Sequence, residues 1–188
     1  MPGTTPMIER EIKLRYLTVA DARSAVLAAG ATPLRSRRLQ ADALLDTDDD
    51  ALQRRRCVLR MRRDSDHCVL TFKGPVRPGS MKVRDEYEST VGDGEVMLRV
   101  LEQLGFRVSF RYEKYREEYS AKDVTVAVDE TPVGTFVEIE GSETGILAVS
   151  AALGRSPADF VLESYRALFL RYRDAFGLTG PDMVFGAE

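Results

Sequence analysis

Apolar and charged residues alternate with a period of two through most of the chain. Over residues 8–14, Glu9, Glu11 and Lys13 fall on one face, and Ile8, Arg10, Ile12 and Leu14 on the other. That is the signature of a strand, whose successive side chains point to opposite sides. Residues 35–45, 57–63, 68–73, 82–91, 107–119, 123–129 and 136–140 follow the same rule. The polar run Asp64-Ser65-Asp66-His67 predicts a hairpin turn, and Gly74-Pro75 and Pro132-Val133-Gly134 predict further chain reversals. Eight extended segments therefore emerge, joined mostly by short turns.

The period lengthens to that of a helix elsewhere. Residues 18–30 carry Thr18 as N-cap, Val19, Ala22, Val26 and Ala29 on one face, and Gly30 as the stop. Gly92-Asp93-Gly94 opens a second helix over 95–104, with Val96, Val100, Leu101 and Leu104 as its expected apolar face. A third helix spans 142–153. Ser156-Pro157 starts what reads as one or two helices through residue 175, with Gly177 as the stop. Asp46-Thr47-Asp48-Asp49-Asp50 is a polar turn. It lacks the glycine and distal glutamate of a calcium loop. His67, the one histidine, is an exposed turn residue on this reading.

What sits on the polar parity of the strands changes the picture. It holds Glu9, Glu11 and Lys13; Arg60 and Arg62; Lys73; Arg84, Glu86 and Glu88; Lys114 and Arg116; Asp129; and Glu138 and Glu140. A solvated sheet face would mix in neutral polar residues. Here nearly every position is a full charge, often with a like charge two residues away, which repels unless a counter-charge lies opposite. The pattern predicts an α+β fold in which an eight-stranded antiparallel β-barrel encloses the charges and packs helices on its apolar outside. Closing the sheet also removes exposed edges. A polyanion and divalent metal ions would offset the cost of the enclosed charge.

Composition sets bounds. The chain has 188 residues, 44% hydrophobic, with a net charge of -3, which suits one domain and argues against nucleic acid as the main partner. Cys57 and Cys68 match no zinc spacing. No apolar run is long enough for a bilayer, and no secretory signal is present, so a cytoplasmic location without membrane contact is expected. Residues 1–7 read as a flexible lead, 8–177 as the domain, and 178–188 as a tail.

The chemistry of the charged parity is specific. Lys13, Arg60, Arg62, Lys73, Arg84, Lys114 and Arg116 supply donors for phosphate oxygens. Glu9, Glu11, Glu138 and Glu140 are oxygen ligands suited to Mg2+ or Mn2+. A triphosphate is the length of anion that would engage so many cations.

Glu9-x-Glu11-x-Lys13 resembles the ExExK signature of the CYTH superfamily, the triphosphate tunnel metalloenzymes. The likeness continues through Leu59-Arg60-Met61-Arg62, Lys73-Gly74-Pro75, Arg84-Asp85-Glu86-Tyr87-Glu88, Glu113-Lys114-Tyr115-Arg116, Val128-Asp129-Glu130 and Phe136-Val137-Glu138-Ile139-Glu140. The late Ser164-Tyr165-Arg166-Ala167-Leu168 is similar to a segment of the class IV adenylyl cyclase branch. The resemblance implies an eight-stranded tunnel with the seven cations on a triphosphate. It also adds Asp129 to the four glutamates as a metal ligand. The activities it implies are hydrolysis of inorganic, thiamine or nucleoside triphosphate, or cyclisation of ATP. A non-catalytic polyphosphate-binding module ranks third. Lys73, Glu9 and Glu11 are the candidate catalytic residues, Lys73 or a glutamate orienting the attacking water. The family contains both monomers and dimers, so a homodimer is left open.

Overall fold

The computed structural model describes residues 6–65 and 67–186; the start of the expected lead, Asp66 of the expected hairpin turn and the last two residues lie outside these. Eight strands form the barrel: β1 (Met7–Tyr16), β2 (Thr32–Thr47), β3 (Val58–Asp64), β4 (His67–Lys73), β5 (Lys82–Val91), β6 (Phe106–Ala121), β7 (Val124–Thr131) and β8 (Gly134–Gly141). They close in the order β1-β5-β4-β3-β2-β6-β7-β8, every pair antiparallel. The expected architecture, charged rows inward and helices outside, is the one found.

The outer surface shows why. Ile12 and Leu14 of β1, Val126 and Val128 of β7, and Val137 and Ile139 of β8 are buried beneath two helices. α1 (Val19–Ala28) contributes Ala22 and Val26 to this layer, and α4 (Glu143–Ala152) contributes Ile146 and Val149. The Thr18 hydroxyl accepts from the Asp21 N–H, so the N-cap is where the sequence put it. A second layer holds Leu45, Met61 and Leu101 under α3 (Gly94–Gln103).

Several elements differ from the sequence reading. α3 turns Met97, Leu98 and Leu101 toward the barrel, while Val96, Val100 and Leu104 stay exposed; the helix has apolar residues on two sides, and only the neighbouring sheet selects between them. A short helix, α2 (Ala51–Arg54), follows the aspartate turn. Buried Asp46 accepts from the N–H groups of Thr47, Leu52 and Gln53 and so closes that turn on itself. The region over 156–175, expected as one or two helices, is a 3-10 turn at Pro157–Asp159, an extended stretch, then α5 (Tyr165–Tyr172) and a second 3-10 turn at Arg173–Phe176. Its middle is extended because β1 leaves an edge open beyond its pairing with β5. Val161 fills that edge, its N–H donating to the Lys13 carbonyl at 2.8 Å and its carbonyl accepting from the Lys13 N–H at 3.1 Å.

Residues 178–186 do not behave as the expected tail. Met183 is wholly buried. Its backbone pairs with Arg111 and Glu113 on an edge of β6 that lies ahead of the β6–β7 pairing.

Candidate active site inside the barrel

The charged rows line one cavity of about 610 Å³. The inward row of β6 runs from Phe110 and Tyr112 to Lys114 and Arg116, and that of β8 from Phe136 to Glu138 and Glu140. The aromatic members join Tyr165, Leu168 and Phe169 of α5 and Met183 in one buried cluster. An apolar stopper therefore adjoins the charged zone.

Strand register sets the neighbours. Glu9 lies opposite Arg84, Glu11 opposite Lys82 on one side and Glu140 on the other, and Lys13 opposite Glu138. Glu9 pairs with Lys73 and, at 2.7 Å, with Arg84. Lys73 also reaches Glu86 at 2.9 Å. Lys13, at 2.9 Å, and Lys82 both converge on Oε1 of Glu11. Lys13 further contacts Glu138 at 3.1 Å. Desolvation and Glu138 press the Glu11 carboxyl upward, yet Lys13, Lys82 and Lys73 hold it well below the carboxylate range. Burial pushes the Lys82 ammonium down to about 8.

The opposite wall is built from β2, β3 and β6. Asp42 lies 2.8 Å from Arg62 and 3.5 Å from Arg60. Arg60 donates through Nη2 to Thr71 at 3.2 Å, while its buried Nε faces Asp42 Oδ1 at 3.5 Å without forming a hydrogen bond. Lys114 reaches Asp129 at 2.9 Å, and Arg116 holds the same carboxylate through Nε at 2.7 Å and Nη2 at 2.6 Å. Burial, then Arg116, pushes the Lys114 ammonium down to about 8. Tyr165 donates its hydroxyl to Asp129 at 2.5 Å, and its ring lies 5.2 Å below the Lys13 ammonium and 4.9 Å from that of Lys114.

All seven expected cations and the four expected glutamates line this cavity; Asp129 is buried behind it. Sequence reasoning passed over several residues in the wall and, in Asp42, one directly behind it. Arg38, Gln40 and Asp42 share one parity of β2, and Lys82 shares the parity of Arg84 and Glu86, so alternation alone would have found them. Tyr165 carries no periodic signal, because it enters from a helix at the barrel end.

Glu140 is the exception among the acids. No ion pair reaches it among the described residues. It stays open to the cavity yet is walled round by protein. Desolvation, then Glu138, Glu9 and Glu11, pushes its carboxyl up to about 7. Among the described residues no three acids are already drawn together tightly enough to hold an ion, because lysines lie between them. The donor set nevertheless fits a hard divalent cation. Several carboxylates meet at the junction of β1 and β8, one lacks a counter-charge, and the Glu11 lysines crowd a single oxygen.

The CYTH domain family model matches residues 7–154. A Methanocaldococcus jannaschii protein, provisionally named an adenylate cyclase, is 29% identical over 122 residues, which cover 59% of this chain and 70% of that one. A Vibrio parahaemolyticus structure, also provisionally described as an adenylate cyclase, superposes with a TM-score of 0.74 at 18% identity, covering 88% of this chain and 99% of that one. A Hippeastrum protein, described as a provisional adenylyl cyclase with a dominant triphosphatase activity, superposes with a TM-score of 0.63 at 19% identity, covering 87% and 95% of the two chains.

Proposed function

This chain belongs to the CYTH family, and on that premise we propose that it hydrolyses a triphosphate bound in the barrel, with Mg2+ or Mn2+ as cofactor. The observation that carries the reading is the state of Arg60. Its guanidinium lines the cavity with Arg62, Lys114 and Arg116, and its buried Nε, 3.5 Å from Asp42 Oδ1, forms no hydrogen bond, so it keeps donor capacity for an anion. Lys13, Lys73 and Arg84 complete the cationic lining for the phosphate chain.

Glu9, Glu11, Glu138 and Glu140 would hold the metal, which supplies charge neutralisation at the phosphate oxygens. The protein's own part is placement. Arg60 and Arg62 orient the phosphates and stabilise charge on the group being transferred. Lys73, tied to Glu9 and Glu86, or one of the glutamates, orients the water that attacks the terminal phosphorus. The anhydride bond then breaks, and orthophosphate leaves with the shortened chain. The hydrolase reading is supported by the dominant triphosphatase activity ascribed to the Hippeastrum protein.

A second reading is cyclisation of ATP, favoured by the name of the M. jannaschii relative. The same grip would then present the α-phosphorus to the ribose 3′-hydroxyl. Incubating the purified protein with tripolyphosphate, thiamine triphosphate and ATP, each with magnesium or manganese, separates the two. Orthophosphate as the product is expected. Cyclic AMP with pyrophosphate would replace hydrolysis by cyclisation, and tight binding without turnover would reduce the chain to a binding module.

A further inference from the structure

Asp129 differs from the four glutamates expected to hold metal. Its side chain is fully buried, and it does not reach the wall of the cavity that Glu9, Glu11, Glu138 and Glu140 all line. Four donors converge on its two oxygens. Arg116 Nε sits 2.7 Å from Oδ1, while Arg116 Nη2 at 2.6 Å, Lys114 Nζ at 2.9 Å and the Tyr165 hydroxyl at 2.5 Å meet at Oδ2. An ionised carboxylate offers about four lone-pair sites. Direct ligation of a metal would require dismantling a forked guanidinium pair inside the protein and leaving Arg116 and Lys114 without their counter-charge, a costly exchange.

Both cations keep unused donors. Arg116 spends Nε and Nη2 on Asp129, Nη2 also reaching Glu138 at 2.7 Å, and this leaves Nη1. The Lys114 ammonium has three N–H groups and uses one on Asp129. Both side chains line the cavity. Resting on the functional reading above, we infer that Asp129 is not a metal ligand. It is a positioning residue around which Arg116, Lys114 and the Tyr165 hydroxyl are assembled into a preformed half-site for phosphate. The metal belongs to the four glutamates.

Manganese binding to the full-length protein, measured by calorimetry in the absence of substrate, tests this. Asp129→Asn is expected to keep manganese affinity within about threefold of the unaltered protein, while Glu11→Gln loses about tenfold or more. An equal loss in both variants would overturn the inference. Because removing Asp129 leaves two buried cations unpaired, the variant is read beside an experiment that needs no substitution. Crystals of the unaltered protein soaked with manganese and tripolyphosphate are mapped by anomalous diffraction. The ion is expected against the glutamates with the Asp129–Arg116 fork intact. An Asp129 oxygen at roughly 2.2 Å from the ion would sink the assignment even if Asp129→Asn fails to fold. Failure of the unaltered protein to bind both manganese and tripolyphosphate would be a different result. It would remove the functional reading itself, and this inference with it.

Discussion

At the scale of single residues, the barrel interior is a set of charges whose partners are other charges. Such buried pairs add little net stability, because desolvation consumes most of the attraction; their value lies in holding donors ready for an anion. Arg60 is the clearest instance, since its buried Nε stands 3.5 Å from Asp42 without forming a hydrogen bond. Replacing it, Arg60→Ala, is expected to weaken binding of tripolyphosphate, thiamine triphosphate and ATP alike, by about tenfold to a hundredfold. Titration calorimetry with all three checks this, and selective loss of one would refute a generic role. Gly141 makes the opposite kind of contribution, purely structural. Its φ is +150°, and a Cβ there would sit 2.6 Å from the Asp123 carbonyl oxygen. Gly141→Ala is therefore expected to cost about 2 kcal/mol of stability, read as a lower urea midpoint. The alternation in the sequence exposed Arg60 at once, because strand parity is a local property. It could not expose Gly141, whose constraint comes from a loop that the fold brings against it.

At the scale of elements, the C-terminal region completes the barrel. β1 and β6 each present a length of unpaired edge, and Val161 and Met183 take those edges. The side chain of Met183 enters the aromatic stopper with Phe110, Phe136 and Phe169. Met183→Ala is expected to destabilise the protein by about 2–4 kcal/mol, a fall of roughly 4–16 °C in Tm for a domain of this size. A shift below about 1 °C would mean that the segment does not belong to the cooperative unit. The strands of the barrel could be anticipated because each shows its own period. The extended stretch around Val161 could not, for its conformation is imposed by an open edge more than a hundred residues away in sequence. The same holds for α3, where Val96, Val100 and Leu104 have the helical spacing of a core face but remain exposed.

At the scale of the whole molecule, charge is sorted. The chain is net negative at -3, while basic side chains outnumber acidic ones along the cavity wall. Raising salt from about 0.05 M to about 0.5 M is expected to weaken tripolyphosphate binding measurably, since the field that draws the anion in is screened; equal affinities at both concentrations would count against electrostatic capture. Chelation of divalent ions should abolish turnover, with magnesium or manganese restoring it. Turnover that persists in excess chelator would remove the metal from the reading. The amino-acid sequence by itself determined the eight-stranded closed barrel, its inside and outside, and seven cations and four glutamates that face inward. Strand periodicity and the repulsion of like charges are local rules that need no coordinates. Only the tertiary structure decided which charges meet. It placed Glu140 among acids without a cation, put Asp129 behind the wall within reach of four donors, and brought Tyr165 in from the far end of the chain. Those outcomes depend on register and on the packing of α5, which arise only when distant segments are brought together.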